Sequence, residues 1–331
     1  MKLVTFRPTG SDASGSGVLS RRPRIGVVLE SGRILDLAKA DGHLSGLTML
    51  DVVRDQDVQL PRIQGLLAMA AELPSATLHD PRRVELLAPI PRPVSLRDGY
   101  AFRQHVETAR RNRGVPMIPE FDQFPVFYFS NPLTVIGPGE LRVGRRRLQQ
   151  LDFELEAFCV VGRTVMNPSL GQADDAIFGY GVMNDFSARA LQMEEMKLNL
   201  GPAKGKDFAT ALGPWLVTKD ELEAAGRFAI TPKGLQVRGA MTAEVNGVEV
   251  SRGELSAMHW TFAQILQRAA DGVTLEPGEI VGSGTVGTGC FLELNGSKVT
   301  NDRWLRPGDS VSLTIDGLGT LTNHVVEDPT R

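Results

Sequence analysis

The stretch Leu151-Asp152-Phe153-Glu154-Leu155-Glu156-Ala157-Phe158 alternates acidic and apolar side chains at the period of a β-strand. Side chains two apart on a strand share a face, so Asp152, Glu154 and Glu156 fall on one side and Leu151, Phe153, Leu155 and Ala157 on the other. Like charges about 7 Å apart on one face repel one another. Such a face is tolerated where water solvates it, as on the outside of an antiparallel sheet, or where a hard cation sits against it. The pattern alone leaves both readings open.

Charge and composition narrow the classes of partner. With 36 basic and 39 acidic residues the formal charge is -3, and the basic runs Arg145-Arg146-Arg147 and Arg110, Arg111 and Arg113 are short and lack interleaved aromatics. Solvated loops account for them better than a nucleic-acid surface does. A hydrophobic content of 42% in 331 residues fits a soluble globular chain of one large domain or two. Cys159 and Cys290 lie in apolar surroundings at no metal-ligand spacing, which points to buried free thiols and a reducing compartment. Met1 to Phe6 begins as a strand without a signal-peptide core, and no apolar run approaches membrane-spanning length. The expectation is a cytoplasmic protein with no membrane or nucleic-acid partner.

The first ninety residues predict strands near 2 to 6, 24 to 30 and 33 to 37, helices near 46 to 55 and 60 to 72, and a flexible loop at Gly10 to Gly17. Prolines 89, 91 and 93 interrupt any regular element. They set a boundary between an N-terminal α/β domain, residues 1–92, and a β-rich domain, residues 93–331. A strand at Val84 to Pro89 closes the former; in the latter, helical patterns cover Gly99 to Arg113 and Ser256 to Ala270, and a strand covers Tyr180 to Asn184. Asn246-Gly247 turns a hairpin from Thr242 to Val250. The tail predicts strands at Glu279 to Val286, Phe291 to Leu294, Ser310 to Ile315 and Gly319 to His324.

Asp98 and Asp185 end apolar segments, in Leu96-Arg97-Asp98-Gly99-Tyr100 and Met183-Asn184-Asp185-Phe186-Ser187-Ala188-Arg189. Each taken alone reads as a helix N-cap. Together these segments resemble the fumarylacetoacetate hydrolase family. The acidic strand and Met183 to Arg189 match its motifs, as do Gly205-Lys206-Asp207-Phe208-Ala209-Thr210, Gly282-Ser283-Gly284-Thr285-Val286-Gly287, Pro307-Gly308-Asp309 and Gly317 to Asn323. The matches run in family order from about Val94 to the end.

The resemblance implies that Glu154, Glu156, Asp185 and Asp98 hold a divalent ion, Mg2+ foremost with Ca2+ or Mn2+ as alternatives, and that Asp152 does not. Lys206 and Arg189 match the family positions that offset the surplus negative charge. His105 follows Asp98 by seven positions, as in the carbon–carbon hydrolases. Otherwise it reads as a surface helix histidine. Its implied partner is Glu293, on the predicted strand Phe291 to Leu294. Thr108 stands where the shorter-lid isomerases, decarboxylases and acylpyruvases carry a glutamate three past the histidine, which favours the long-lid hydrolase type. Gln192 resembles an oxyanion-stabilising amide, Tyr128, Tyr100 and Thr285 substrate contacts, and Arg113, with Arg111, a grip on a distal carboxylate.

The implied fold is α+β and β-rich, a small N-terminal α/β domain with a large mixed β-roll domain of the fumarylacetoacetase type, paired as a homodimer. The implied activity is metal-dependent hydrolysis of a carbon–carbon bond in a small diketo acid, of the fumarylacetoacetate or acylpyruvate kind met in aromatic catabolism. The rivals are a decarboxylase or keto–enol isomerase of the same family and a non-catalytic ion-binding protein.

Overall fold

The computed structural model describes residues 1–9 and 22–330. The loop expected at Gly10 to Gly17 lies outside the described residues. A 12-stranded sheet forms the frame. Across it run Leu78–His79, Ile34–Asp36, Arg24–Val28, Lys2–Pro8, Thr210–Thr218, Ile177–Asp185, Leu155–Val161, Ile280–Gly282, Leu96–Gly99 and Phe127–Ser130. A 5-stranded sheet of Val248–Glu254, Ala240–Val245, Ser310–Ile315, Gly319–Glu327 and Gly139–Val143 packs against it. Its hairpin turns where expected, with Asn246 and Gly247 at φ 56° and 74°, the left-handed pair that matches strand twist.

Strand parity divides the core. Along Leu155–Val161, Leu155, Ala157, Cys159 and Val161 face the core shared with the smaller sheet, while Phe158 and Val160 face a second core. That second core is completed by the N-terminal residues Leu3, Ile25, Val27, Leu35, Val52 and Ile63. The main sheet is continuous across the prolines, because Lys2–Pro8 pairs with Thr210–Thr218. The division at residues 92 and 93 therefore stands as a proposal about domains laid over one sheet.

The same parity places the acids. Glu156 shares a face with Phe158, Asp185 with Met183, and Asp98 with Leu96, so each carboxylate prolongs an apolar row of the second core. At that end of the sheet the apolar rows become a polar patch.

Five local readings are corrected. The acidic segment is two short strands, Leu151–Asp152 and Leu155–Val161, broken at Phe153 and Glu154. The acids are not a solvated face: Asp152 and Glu156 are wholly buried and Glu154 is 5% exposed. The helix expected from Gly99 starts at Arg103. The helix expected from Ser256 is a short turn followed by Phe262–Ala269. The segment carrying Glu293 is the helix Phe291–Gly296, where a strand was expected. Six residues cannot show a helical period clearly, and the alternation Phe-Leu-Glu-Leu mimics a strand.

Candidate active site

The helix-cap readings of Asp98 and Asp185 fail, because both lie in strands and the following helices are preceded by Phe102 and Ala188. Register brings them together instead. Gly282 pairs with Asp98 on one side and Phe158 on the other, which leaves a single strand between Asp98 and the Glu156 row. A side chain at Gly282 would collide with the Asp98 carboxylate and the Met183 methyl. Gly284, at φ 74°, aims its N–H at Asp98 Oδ1 at 3.1 Å.

One oxygen each from Asp98, Glu154 and Asp185 lies within 4.8 Å of the others. Lys206 Nζ bridges Glu154 Oε2 and, at 2.8 Å, Asp185 Oδ2. Arg189 spans Asp152 Oδ2 and Glu154 Oε1, both at 2.8 Å, and reaches Gln192 Oε1 at 3.0 Å. The Tyr128 hydroxyl donates to Asp185 and lies 3.2 Å from Asp98 Oδ2. Thr285 donates to Glu156 Oε1 at 3.1 Å, while Glu156 Oε2 is buried without a hydrogen-bond partner among the described residues.

Two buried cations face five buried carboxylates, a surplus of negative charge that proteins do not carry uncompensated. Burial, then the neighbouring Asp185, push Asp98 up to about 7. Burial, then Asp98, push Glu156 well above the carboxylate range. Burial works against ionisation of Glu154 too, yet Lys206 and Arg189 overcome it and lower that group to about 2. An all-oxygen donor set, a partnerless buried oxygen on Glu156 and carboxyls that hold protons for want of positive charge fit a hard divalent ion.

Two expected results follow. Glu156→Gln keeps size and removes charge, so Mg2+ or Mn2+ affinity should fall by an order of magnitude or more in a calorimetric titration. Unchanged affinity would remove Glu156 from the ligand set. The second concerns pH. A carboxyl raised from 3.8 to about 7 keeps its proton in the folded state after the unfolded chain has lost it. Stability of the ion-free protein should therefore fall, on account of Asp98, as pH rises from about 4 to 7. Glu154 acts in the opposite sense lower down: its stabilisation is present above about 4.5 and is lost as pH falls through about 2. Chelator-treated protein unfolded in urea across this range reads both, and saturating Mg2+ should flatten the upper limb.

His105 and Glu293 come together at the rim of this cluster. His105 Nδ1 lies 2.6 Å from Glu293 Oε2, with the histidine 7% and the glutamate 2% exposed. The surface-histidine reading fails. The partners sit on Arg103–Asn112 and Phe291–Gly296, which Asn112 ties by donating to the Glu293 carbonyl at 3.2 Å. Tyr100 stands edge-on to His105, ring centres 5.7 Å apart.

Asp152 has a task that its place in the acidic row did not reveal. Its carboxylate accepts from the backbone N–H groups of Phe291 at 2.7 Å and Leu292 at 3.0 Å, and from Arg189. It thereby anchors the helix of Glu293 to the guanidinium that faces Glu154. Asn184 and Thr210 were also missed: Asn184 Oδ1 accepts the Glu154 N–H at 3.0 Å, and Thr210 lies 3.4 Å from Asp185. Asn184 adjoins Asp185 in sequence, so its neighbourhood was the available signal. Arg113 is not drawn in. It is exposed at the end of its helix and donates to the Ala109 carbonyl. Gln192 is half-buried.

The profile of the fumarylacetoacetate (FAA) hydrolase C-terminal region matches residues 95–326, well over half of the chain. The protein belongs to the fumarylacetoacetate hydrolase family. It is 28% identical to the oxaloacetate tautomerase YisK of Bacillus subtilis (strain 168) over 94% of this chain and 98% of that one. A solved fumarylacetoacetate hydrolase from Exiguobacterium antarcticum shares its fold, with TM-score 0.68 and 24% identity over 99% of this chain and 100% of that one. So does a maleylpyruvate hydrolase from Sphingobium sp. SYK-6 in complex with manganese (II) ion and pyruvate, with TM-score 0.69, 19% identity and 99% coverage of both chains. Among the described residues no helix is long and apolar enough to cross a membrane.

Proposed function

We propose that the protein is a divalent-metal-dependent hydrolase that cleaves a carbon–carbon bond in a diketo acid of the fumarylacetoacetate or acylpyruvate kind, as in aromatic catabolism. The observation that carries this reading is the buried His105–Glu293 pair, 2.6 Å apart beside a cluster of carboxylates suited to an ion. Asp98, Glu154, Glu156 and Asp185 would hold the ion, with Mg2+ the first choice and Mn2+ or Ca2+ as alternatives. When bound, it supplies the positive charge that polarises a substrate carbonyl and steadies enolate charge.

A carboxylate accepts only, so Glu293 takes the Nδ1 hydrogen of His105 and leaves Nε2 as the ring's basic nitrogen. His105 then removes a proton from the attacking water, and Glu293 stabilises the imidazolium that results. Lys206 and Arg189 offset the carboxylates, and with Gln192 they stabilise the developing oxyanion. Tyr100, Tyr128 and Thr285 contact the substrate, and Arg113 meets a distal carboxylate if the end of its helix closes over the site.

A second reading, keto–enol tautomerisation, is favoured by the near full-length similarity to an oxaloacetate tautomerase. Decarboxylation needs the same enolate stabilisation. Incubation with fumarylacetoacetate, several acylpyruvates and oxaloacetate in the presence of Mg2+, followed by product analysis, separates the readings. Two carboxylic products support hydrolysis, a tautomer alone or carbon dioxide replaces it, and tight ion binding without turnover of any substrate leaves a non-catalytic ion-binding protein.

The cytoplasmic location and the homodimer belong to the same proposal. The edge strand Phe127–Ser130 leaves Phe129 64% exposed, with Leu133 at 70% just beyond it, an unprotected apolar edge that a second copy would cover. Light scattering at micromolar concentration should give twice the mass of the chain, and a monomeric mass rejects the pairing.

A further inference from the structure

Cys290, expected as a buried free thiol, borders the histidine–glutamate pair. One ligand atom each from His105, Cys290 and Glu293 lies within 4.8 Å of the others, and all three side chains are buried. The Glu293 carboxylate uses only Oε2, on His105. Its Oε1 is buried with no hydrogen-bond partner among the described residues. The Glu293 carboxyl thus keeps one unsatisfied buried oxygen next to the one that meets His105.

We propose that His105, Cys290 and Glu293 form a second metal site, selective for a thiophilic ion such as Zn2+, whose occupation switches off the pair. Nitrogen, sulfur and oxygen from three side chains, with a fourth position left for water, is a donor set that zinc takes in enzymes. The carboxylate cluster offers oxygen alone and suits Mg2+ or Mn2+. Ligand softness therefore sorts two kinds of ion between adjacent sites. Burial, then the negative charge of Asp152, hold the Cys290 thiol protonated in the free protein. Zinc displaces that proton to solvent as the Zn–S bond forms. His105 and Glu293 turn toward the ion, and the imidazole lone pair that would accept a proton from water is engaged.

The inhibitory consequence rests on the role proposed above for His105, whereas binding does not, and the test separates the two. Co2+ added to Mg2+-loaded wild-type protein should give a thiolate-to-cobalt charge-transfer band in the near ultraviolet. C290S should lose the band, and C159S should keep it because Cys159 lies in the apolar core away from the site. Serine is a favourable residue before a helix start, and Cys290 occupies that position, so the variant is designed to fold; C290A, with circular dichroism on each, guards against failure. In turnover assays, zinc should inhibit wild type without relief by excess Mg2+. The zinc concentration for half-inhibition, with each protein measured against its own turnover without zinc, should rise about 10- to 100-fold or more in C290S. No band in wild type, a band lost in C159S instead, or zinc inhibition relieved by Mg2+ and unaltered in C290S would each overturn the proposal. A cobalt band without any hydrolytic turnover leaves the site standing and removes the proposed function instead.

Discussion

His105→Ala is expected to lower the rate of carbon–carbon cleavage by about 10²- to 10⁴-fold, the usual contribution of a positioned general base. Divalent-ion affinity should stay close to wild type, because His105 bonds to Glu293 and to none of Asp98, Glu154, Glu156 or Asp185. Glu293→Gln should follow with a smaller loss. An amide oxygen still accepts the ring hydrogen, but it brings no charge to stabilise the imidazolium. Steady-state rates with a diketo acid, paired with calorimetry on the same variants, read both halves. Wild-type cleavage by His105→Ala would dissolve the pair as the base, and equal loss of ion binding would make His105 a ligand.

A second large effect is expected from Lys206→Met. The ammonium is buried against Glu154 and Asp185, themselves nearly inaccessible. Removing one partner of a buried ion pair strands the other, at a cost of about 3–5 kcal/mol. Chelator-treated Lys206→Met should therefore unfold at distinctly lower urea than wild type. Saturating Mg2+ should recover part of the loss, because the ion would supply positive charge to the same oxygens and bind the folded state alone. A deficit of equal size with and without ion would show that Lys206 and the ion do not share those carboxylates.

Some of this site was legible in the residues. The alternation around Glu154 and Glu156 pointed to strand, and the motifs at Met183 to Arg189 and Gly205 to Thr210 supplied the cations that now stand against those acids. Asp152 belonged to the same alternation, yet the chain breaks at Phe153 and Glu154, and its carboxylate turns to the backbone of a helix near residue 291. Glu293 was named from its motif but placed on a strand. A run of six residues carries too few turns for its period to speak.

The sequence by itself determined the sheet-rich frame and the hairpin at Asn246-Gly247, because turn chemistry and side-chain period act over a few residues; the choice of Asp98, Glu154, Glu156 and Asp185 as ligand candidates came from the family resemblance of the segments that carry them. Tertiary structure alone decided burial. Water on an exposed strand face and a buried, charge-crowded cluster are written in the same alternation, and only the packing of Tyr128, Arg189, Lys206 and Thr285 around the acids distinguishes them. It also decided proximity. His105, Cys290 and Glu293 meet through the pairing of Leu96–Gly99 with Ile280–Gly282 and the packing of two short helices, contacts between residues almost two hundred positions apart that no local pattern encodes.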